Sequence, residues 1–169
     1  MTFVARAAAG SLLAALILLS LSARPASAAA SCAGADDVAG TALSRTATMR
    51  CLVSQARVQA RRPALQSTGA LKRSATAKAA AIGRCRTFSH TPCGARASHS
   101  GCYVVGENLA SVPPGTTPRE VLQAWLDSPA HRANLLSAQF RETGLARRTV
   151  SLPGTGRAEV WVQLFASRC

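Results

Sequence analysis

The stretch "RAEVWVQLFAS", residues 157–167, sets the strongest limit on how this chain folds. Read as a strand, it turns Val160, Val162 and Leu164 to one side and Trp161 and Phe165 to the other. A strand apolar on both faces must be covered on both faces, so it belongs inside a sheet with packed layers above and below. "TGLARRTVSL" before it, with "PGTG" between, predicts a β-hairpin.

Helical patterns supply the covering layers. From about Thr41 to Arg61, Met49, Leu52, Val53, Ala56 and Ala60 share one face, and Arg50, Arg57 and Arg61 read as lying off it. "RRPALQSTG" breaks that helix at Pro63. A second helix over about Ala70 to Gly83 gathers Leu71, Ala75, Ala79 and Ile82 on one side. Cys85 to Gly106 is punctuated by Pro92, Gly94 and Gly101 and reads as irregular, beside a Tyr-Val-Val strand. In "TTPREVLQAWLD", Thr117 is the N-cap, Pro118 opens the helix and Glu120 completes a capping box. Val121, Leu122 and Trp125 then form its buried face, and Ser128-Pro129 restarts a separate helix with Ser128 as its cap. The expected class is α+β, a small antiparallel sheet between helices and stapled by disulfides.

The 169 residues make about one domain. Residues 1–28 read as a secretory signal peptide. Arg6 precedes the apolar run "AAAGSLLAALILLSLS", Arg24-Pro25 ends it, and "ASA" offers a cleavage site. Residues 29–40 read as coil and 41–169 as the domain; no later segment is apolar enough to span a membrane. All six cysteines follow the cleavage site, as in an exported, disulfide-bonded chain. They form no CxxC pair, so a structural zinc site of the usual spacing is not expected. Cys32 and Cys51 stand apart and are expected to pair, leaving three ways to join Cys85, Cys93, Cys102 and Cys169.

The formal charge is +13, and cleavage would remove Arg6 and Arg24 from that total. The arginines are scattered among alanines, with no basic helix or aromatic-interleaved basic strand, so nucleic acid is not an expected partner. Anionic cell-envelope polymers fit the charge equally well.

Two of the three histidines and one placed carboxylate carry the chemistry. With Ser128 as cap, His131 falls in the first helical turn, where the helix dipole disfavours imidazolium. Neutral imidazole ligates metals and acts as a general base. His90 lies in a loop, "FSHTPCG", whereas His99, in "ARASHSG", reads as a surface residue. Glu107, in "GENLA" beside the Tyr-Val-Val strand, needs a partner in such apolar surroundings.

"CLVSQAR", "FSHT", "GENLA", "TPREVLQAWLDSPAHRANLL", "FRETGLA" and "WVQLF" follow one another in the order seen in bacterial CAP (SCP) domains. This is the superfamily of cysteine-rich secretory, antigen 5 and pathogenesis-related proteins, which the chain resembles from about Met49 to Phe165. The resemblance implies a secreted three-layer α-β-α sandwich whose cleft is lined by His90, Glu107 and His131 and, in several members, open to a divalent metal such as Zn²⁺. His90 and His131 would be the metal ligands. The family's second acidic position falls on Ser128, with Asp127 next to it, so one carboxylate is missing. Ser54 and Ala56 stand where asparagine and glutamate are expected. Two functions follow. One is a monomeric secreted binding module for a divalent metal, a small molecule or lipid, or a cell-wall ligand. The other is a metal-assisted, protease-like hydrolase using the same cleft, so enzymatic activity is left open.

Overall fold

A computed structural model of the chain describes residues 31–94 and 103–168. The expected signal peptide, His99, Cys102 and Cys169 lie outside the described residues. Four helices and four strands follow one another: α1 (Ala42–Gln59), β1 (Gln66–Ser67), α2 (Gly69–Cys85), β2 (Tyr103–Val112), α3 (Pro118–Asp127), α4 (Pro129–Leu136), β3 (Glu142–Leu152) and β4 (Gly156–Arg168). The sheet order is β1-β3-β4-β2, so the strand that is apolar on both faces lies inside, between β3 and β2.

Its two faces anchor two cores. Trp161 and Phe165 pack with Met49, Leu52, Trp125 and Leu135, under α1, α3 and α4. Val160, Val162 and Leu164 pack with Leu71, Ala75 and Ile82, under α2. This is the three-layer α-β-α sandwich. Gly144 lets α2 come down onto the sheet, because a Cβ there would stand 2.1 Å from the carbonyl carbon of Leu71.

The helix starts follow from local chemistry. The Thr41 and Thr68 hydroxyls accept N–H bonds at the heads of α1 and α2. Thr117 and Glu120 form the capping box of α3. Ser128 does occupy the N-cap of α4, but its side chain makes no capping bond. The break is held instead by Pro129 at the first helical position and by the Ser128 carbonyl, which accepts from Arg132.

Two sequence readings of α1 need correction. Ala60 is exposed just past the helix end, whereas Arg57 is fully buried. Its guanidinium donates to the carbonyls of Pro63, Leu135, Ser137 and Phe140, and so ties α1 to the segment after α4. Burial, then the neighbouring charges of Arg141 and Arg62, lower its pKa. Arg45 is buried too, over the Trp161 ring at 5.5 Å and bonded to Glu159 and the Thr116 carbonyl. Burial alone would raise the Glu159 pKa, but Arg147 and Arg45 outweigh it and hold the carboxyl below its usual range.

Disulfides join Cys32 to Cys51, as expected, and Cys85 to Cys93. The second closes the loop that carries His90.

Candidate functional site

His90, Glu107 and His131 arrive from three elements. Glu107 and Asn108 are consecutive on β2, an edge strand, so their side chains leave opposite faces of the sheet. Glu107 points to the α2 side, where it meets Lys78 and His90. Asn108 points to the α4 side, where its amide donates to the His131 carbonyl at 3.0 Å. Asn134, one turn along α4, donates to the Asn108 side chain at 2.9 Å and to the Glu107 carbonyl at 3.2 Å. The "EN" of "GENLA" therefore fastens the sheet edge to both helical layers. Gly106 just before it leaves room for Phe140, whose ring atoms would stand 2.7 Å from an added Cβ.

The structure brings His90 and Glu107 into direct contact, Nδ1 to Oε1 at 2.6 Å. An ionised carboxylate only accepts, so His90 Nδ1 is the donor of this bond. The His90 side chain is 65 % exposed. The other carboxylate oxygen lies 3.1 Å from Lys78 Nζ. Lys78 also donates to the His90 carbonyl, so one buried ammonium fixes both the carboxylate and the backbone that carries the imidazole. Both oxygens of Glu107 are thus engaged from inside.

His131 is half-buried at the start of α4, around the strand edge from His90. Its pKa lies below 6.5, first because burial disfavours imidazolium and second because the His90 charge opposes it. The direction agrees with the sequence reading, although burial and His90 are its causes rather than the helix dipole. His90 is carried by the loop that follows α2 and His131 by α4, so the two come from opposite faces of the sheet.

Lys78 was missed in the sequence, and its signal was its position. It falls at i+7 from Leu71, i+3 from Ala75 and i−4 from Ile82, on the apolar stripe of α2. A lysine on a buried face is expected to have an anion within reach.

These residues fit part of what a divalent metal needs. Two imidazoles are available with a carboxylate orienting one of them, an arrangement common behind metal-ligating histidines. Among the described residues no group of three or more His, Cys, Asp or Glu side chains is spaced to hold an ion. Ser128 brings no acid, and Glu107 would have to leave Lys78 to become a third ligand.

Comparisons with known proteins place the chain in a family and agree with the fold. The profile of the CAP family, described as the cysteine-rich secretory protein family, matches residues 51–165. No curated protein matches the sequence significantly. Among solved structures, the chain is similar to an outer surface protein of Borrelia burgdorferi, with 21 % identity and a TM-score of 0.64 over 77 % of this chain and 97 % of that one. It is similar to an extracellular SCP-domain protein of Bacillus anthracis, with 20 % identity and a TM-score of 0.59 over 75 % of this chain and 44 % of that one. It is also similar to a cysteine-rich secretory protein of Staphylococcus aureus, with 13 % identity and a TM-score of 0.57 over 77 % of this chain and 41 % of that one. The chain spans less than half the length of the last two proteins. At these identities the solved structures establish the fold.

Proposed function

This chain belongs to the cysteine-rich secretory protein (CAP) family, and from that premise we propose that it is an exported binding module whose ligand is held between His90 and His131. The observation that carries this reading is the Lys78–Glu107–His90 chain of contacts. It fixes the His90 imidazole through its Nδ1, while burial favours the neutral form of His131. The two imidazoles would offer ring nitrogens to a divalent cation, or hydrogen bonds to the polar end of a lipid or cell-wall fragment. Export is supported by the apolar leader with its "ASA" site and by the disulfides. The similar proteins described as extracellular or outer-surface support it as well.

Binding is favoured over hydrolysis by the state of Glu107. A zinc hydrolase keeps three protein ligands and one open position. A carboxylate acting as general base needs an oxygen free to reach water. Glu107 has both oxygens engaged, by Lys78 and by His90. A bound divalent ion would be held by His90 and His131 and would supply a positive centre for an anionic ligand group.

Calorimetric titration with Zn²⁺ tests the reading. One site per chain is expected in the disulfide-bonded protein, with the heat lost in both His90→Ala and His131→Ala. Equal binding in the variants would place the ion elsewhere and remove metal from the proposal.

A further inference from the structure

Among the described residues the sheet has a second open edge, on the far side of β4 from the cleft. Strand β1 pairs with β3 only at Gln66–Glu142 and Ser67–Thr143. There the Arg141 and Thr143 carbonyls accept from the Gln66 and Thr68 N–H groups at 2.8 and 3.1 Å. Thr68 then caps α2 and the chain leaves the edge. β3 continues antiparallel to β4 as far as Leu152. Backbone groups alternate along a strand, so Leu145, Arg147, Thr149 and Ser151 turn their N–H and C=O groups outward, past the end of β1.

Helices α1 and α2 overhang this stretch. Between them lies a cavity of about 220 Å³, with Leu43 and Thr46 on one wall, Lys72 and Thr76 on the other, and Leu145 to Arg148 as its floor. A smaller cavity of about 130 Å³ adjoins it beside Ser67, where β1 stops. Leu43 is 67 % exposed and lines both. Arg50, Lys72 and Arg148 give the rim its charge, and none of the described residues lining either cavity is acidic.

We propose that this free edge of β3 is a docking site for an extended acidic peptide segment of a partner protein, which joins the sheet as a strand continuing the line of β1. Outward donors and acceptors at strand spacing call for a ligand with the same repeat, which a peptide backbone has and a lipid chain does not. Leu43, Leu145 and Ala146 accept a small apolar side chain of that strand, and the cationic rim selects acidic neighbours. A second copy of this chain is a poor occupant. Edge-to-edge pairing of two β3 strands would set Arg147 and Arg148 against their counterparts, a usual guard against self-association.

The test uses the full disulfide-bonded protein, ¹⁵N-labelled, and a peptide of about six residues alternating Glu and Val, with a Lys-Val peptide as control. The Glu-Val peptide should bind saturably and slow amide exchange at Leu145, Arg147 and Thr149. Its affinity should fall about tenfold in the Lys72→Glu, Arg148→Glu variant, whose two sites are exposed. Thr149→Pro, which removes one outward N–H, should weaken it independently of charge. Any of four results would overturn the proposal: no saturable binding, equal binding of the Lys-Val peptide, binding that leaves those amides unprotected, or protection that appears through self-association in sedimentation. His131→Ala should leave the affinity unchanged, which keeps this site separate from the cleft.

Discussion

At the scale of single residues, Lys78 decides what the cleft can do. Its side chain is 3 % exposed, and its ammonium serves Glu107 and the His90 carbonyl together. Glu107→Gln keeps the shape of the carboxylate but leaves this buried cation without an anion, at a cost of about 3–5 kcal/mol. Lys78→Met removes the cation and leaves Glu107 paired with His90 and partly hydrated, at a lower cost of about 1–3 kcal/mol. Denaturant melts of the two variants check the order; a Glu107→Gln protein as stable as the parent would show that the pair contributes nothing to the fold. Metal binding lost in Glu107→Gln must therefore be read beside the stability loss. Motif order made His90, Glu107 and His131 legible in the sequence, but the network behind them was not. Arg45 and Arg57 repeat the lesson: they lie four residues before Met49 and four after Val53, on the buried side of α1. Their charge argued for solvent while their spacing argued for the core. Spacing prevailed because backbone carbonyls and Glu159 satisfy the guanidiniums there.

At the scale of elements, α3 and α4 show how similar signals differ in energy. Thr117-Pro118 and Ser128-Pro129 read alike, yet Thr117 makes a reciprocal capping box and the Ser128 side chain makes no capping bond. Thr117→Ala should cost about 0.5–2 kcal/mol, whereas Ser128→Ala should stay within about 0.5 kcal/mol. Thermal melts of both proteins decide it, and an equal loss would mean that Ser128 caps α4 in solution. The strand pattern of β3 and β4 was legible because they run for eleven and thirteen residues and β4 is apolar on both faces. β1 was not, because two residues have no period and its pairing is parallel and distant in sequence. The start of β2 was legible as the Tyr-Val-Val strand, whereas its continuation through Gly106 to Val112 was not.

At the scale of the whole molecule, a four-stranded sheet between one helix and three leaves two open edges, and the functional readings lie at these edges. The proposed imidazole cleft lies at the β2 edge and the proposed peptide groove at the β3 edge. Cys85–Cys93 joins the end of α2 to the far side of the His90 loop, so it holds one wall of the cleft. Replacing both cysteines by serine should cost about 2–4 kcal/mol and release His90 from its place beside Glu107. Calorimetric unfolding gives the first quantity and histidine NMR the second. The pH response of His131 follows from its lowered pKa. Between 6.5 and the lower folded value the unfolded chain binds the extra proton, so stability falls as pH drops through 6.5 and levels off below the folded value. The central claim, that His90 and His131 share one cleft, is tested most directly by titrating the His131 ring by NMR in the parent and in His90→Ala. The parent midpoint should lie below 6.5, and His90→Ala should raise it while leaving it below 6.5, because burial is the larger cause. An unchanged His131 midpoint in His90→Ala would contradict the shared cleft.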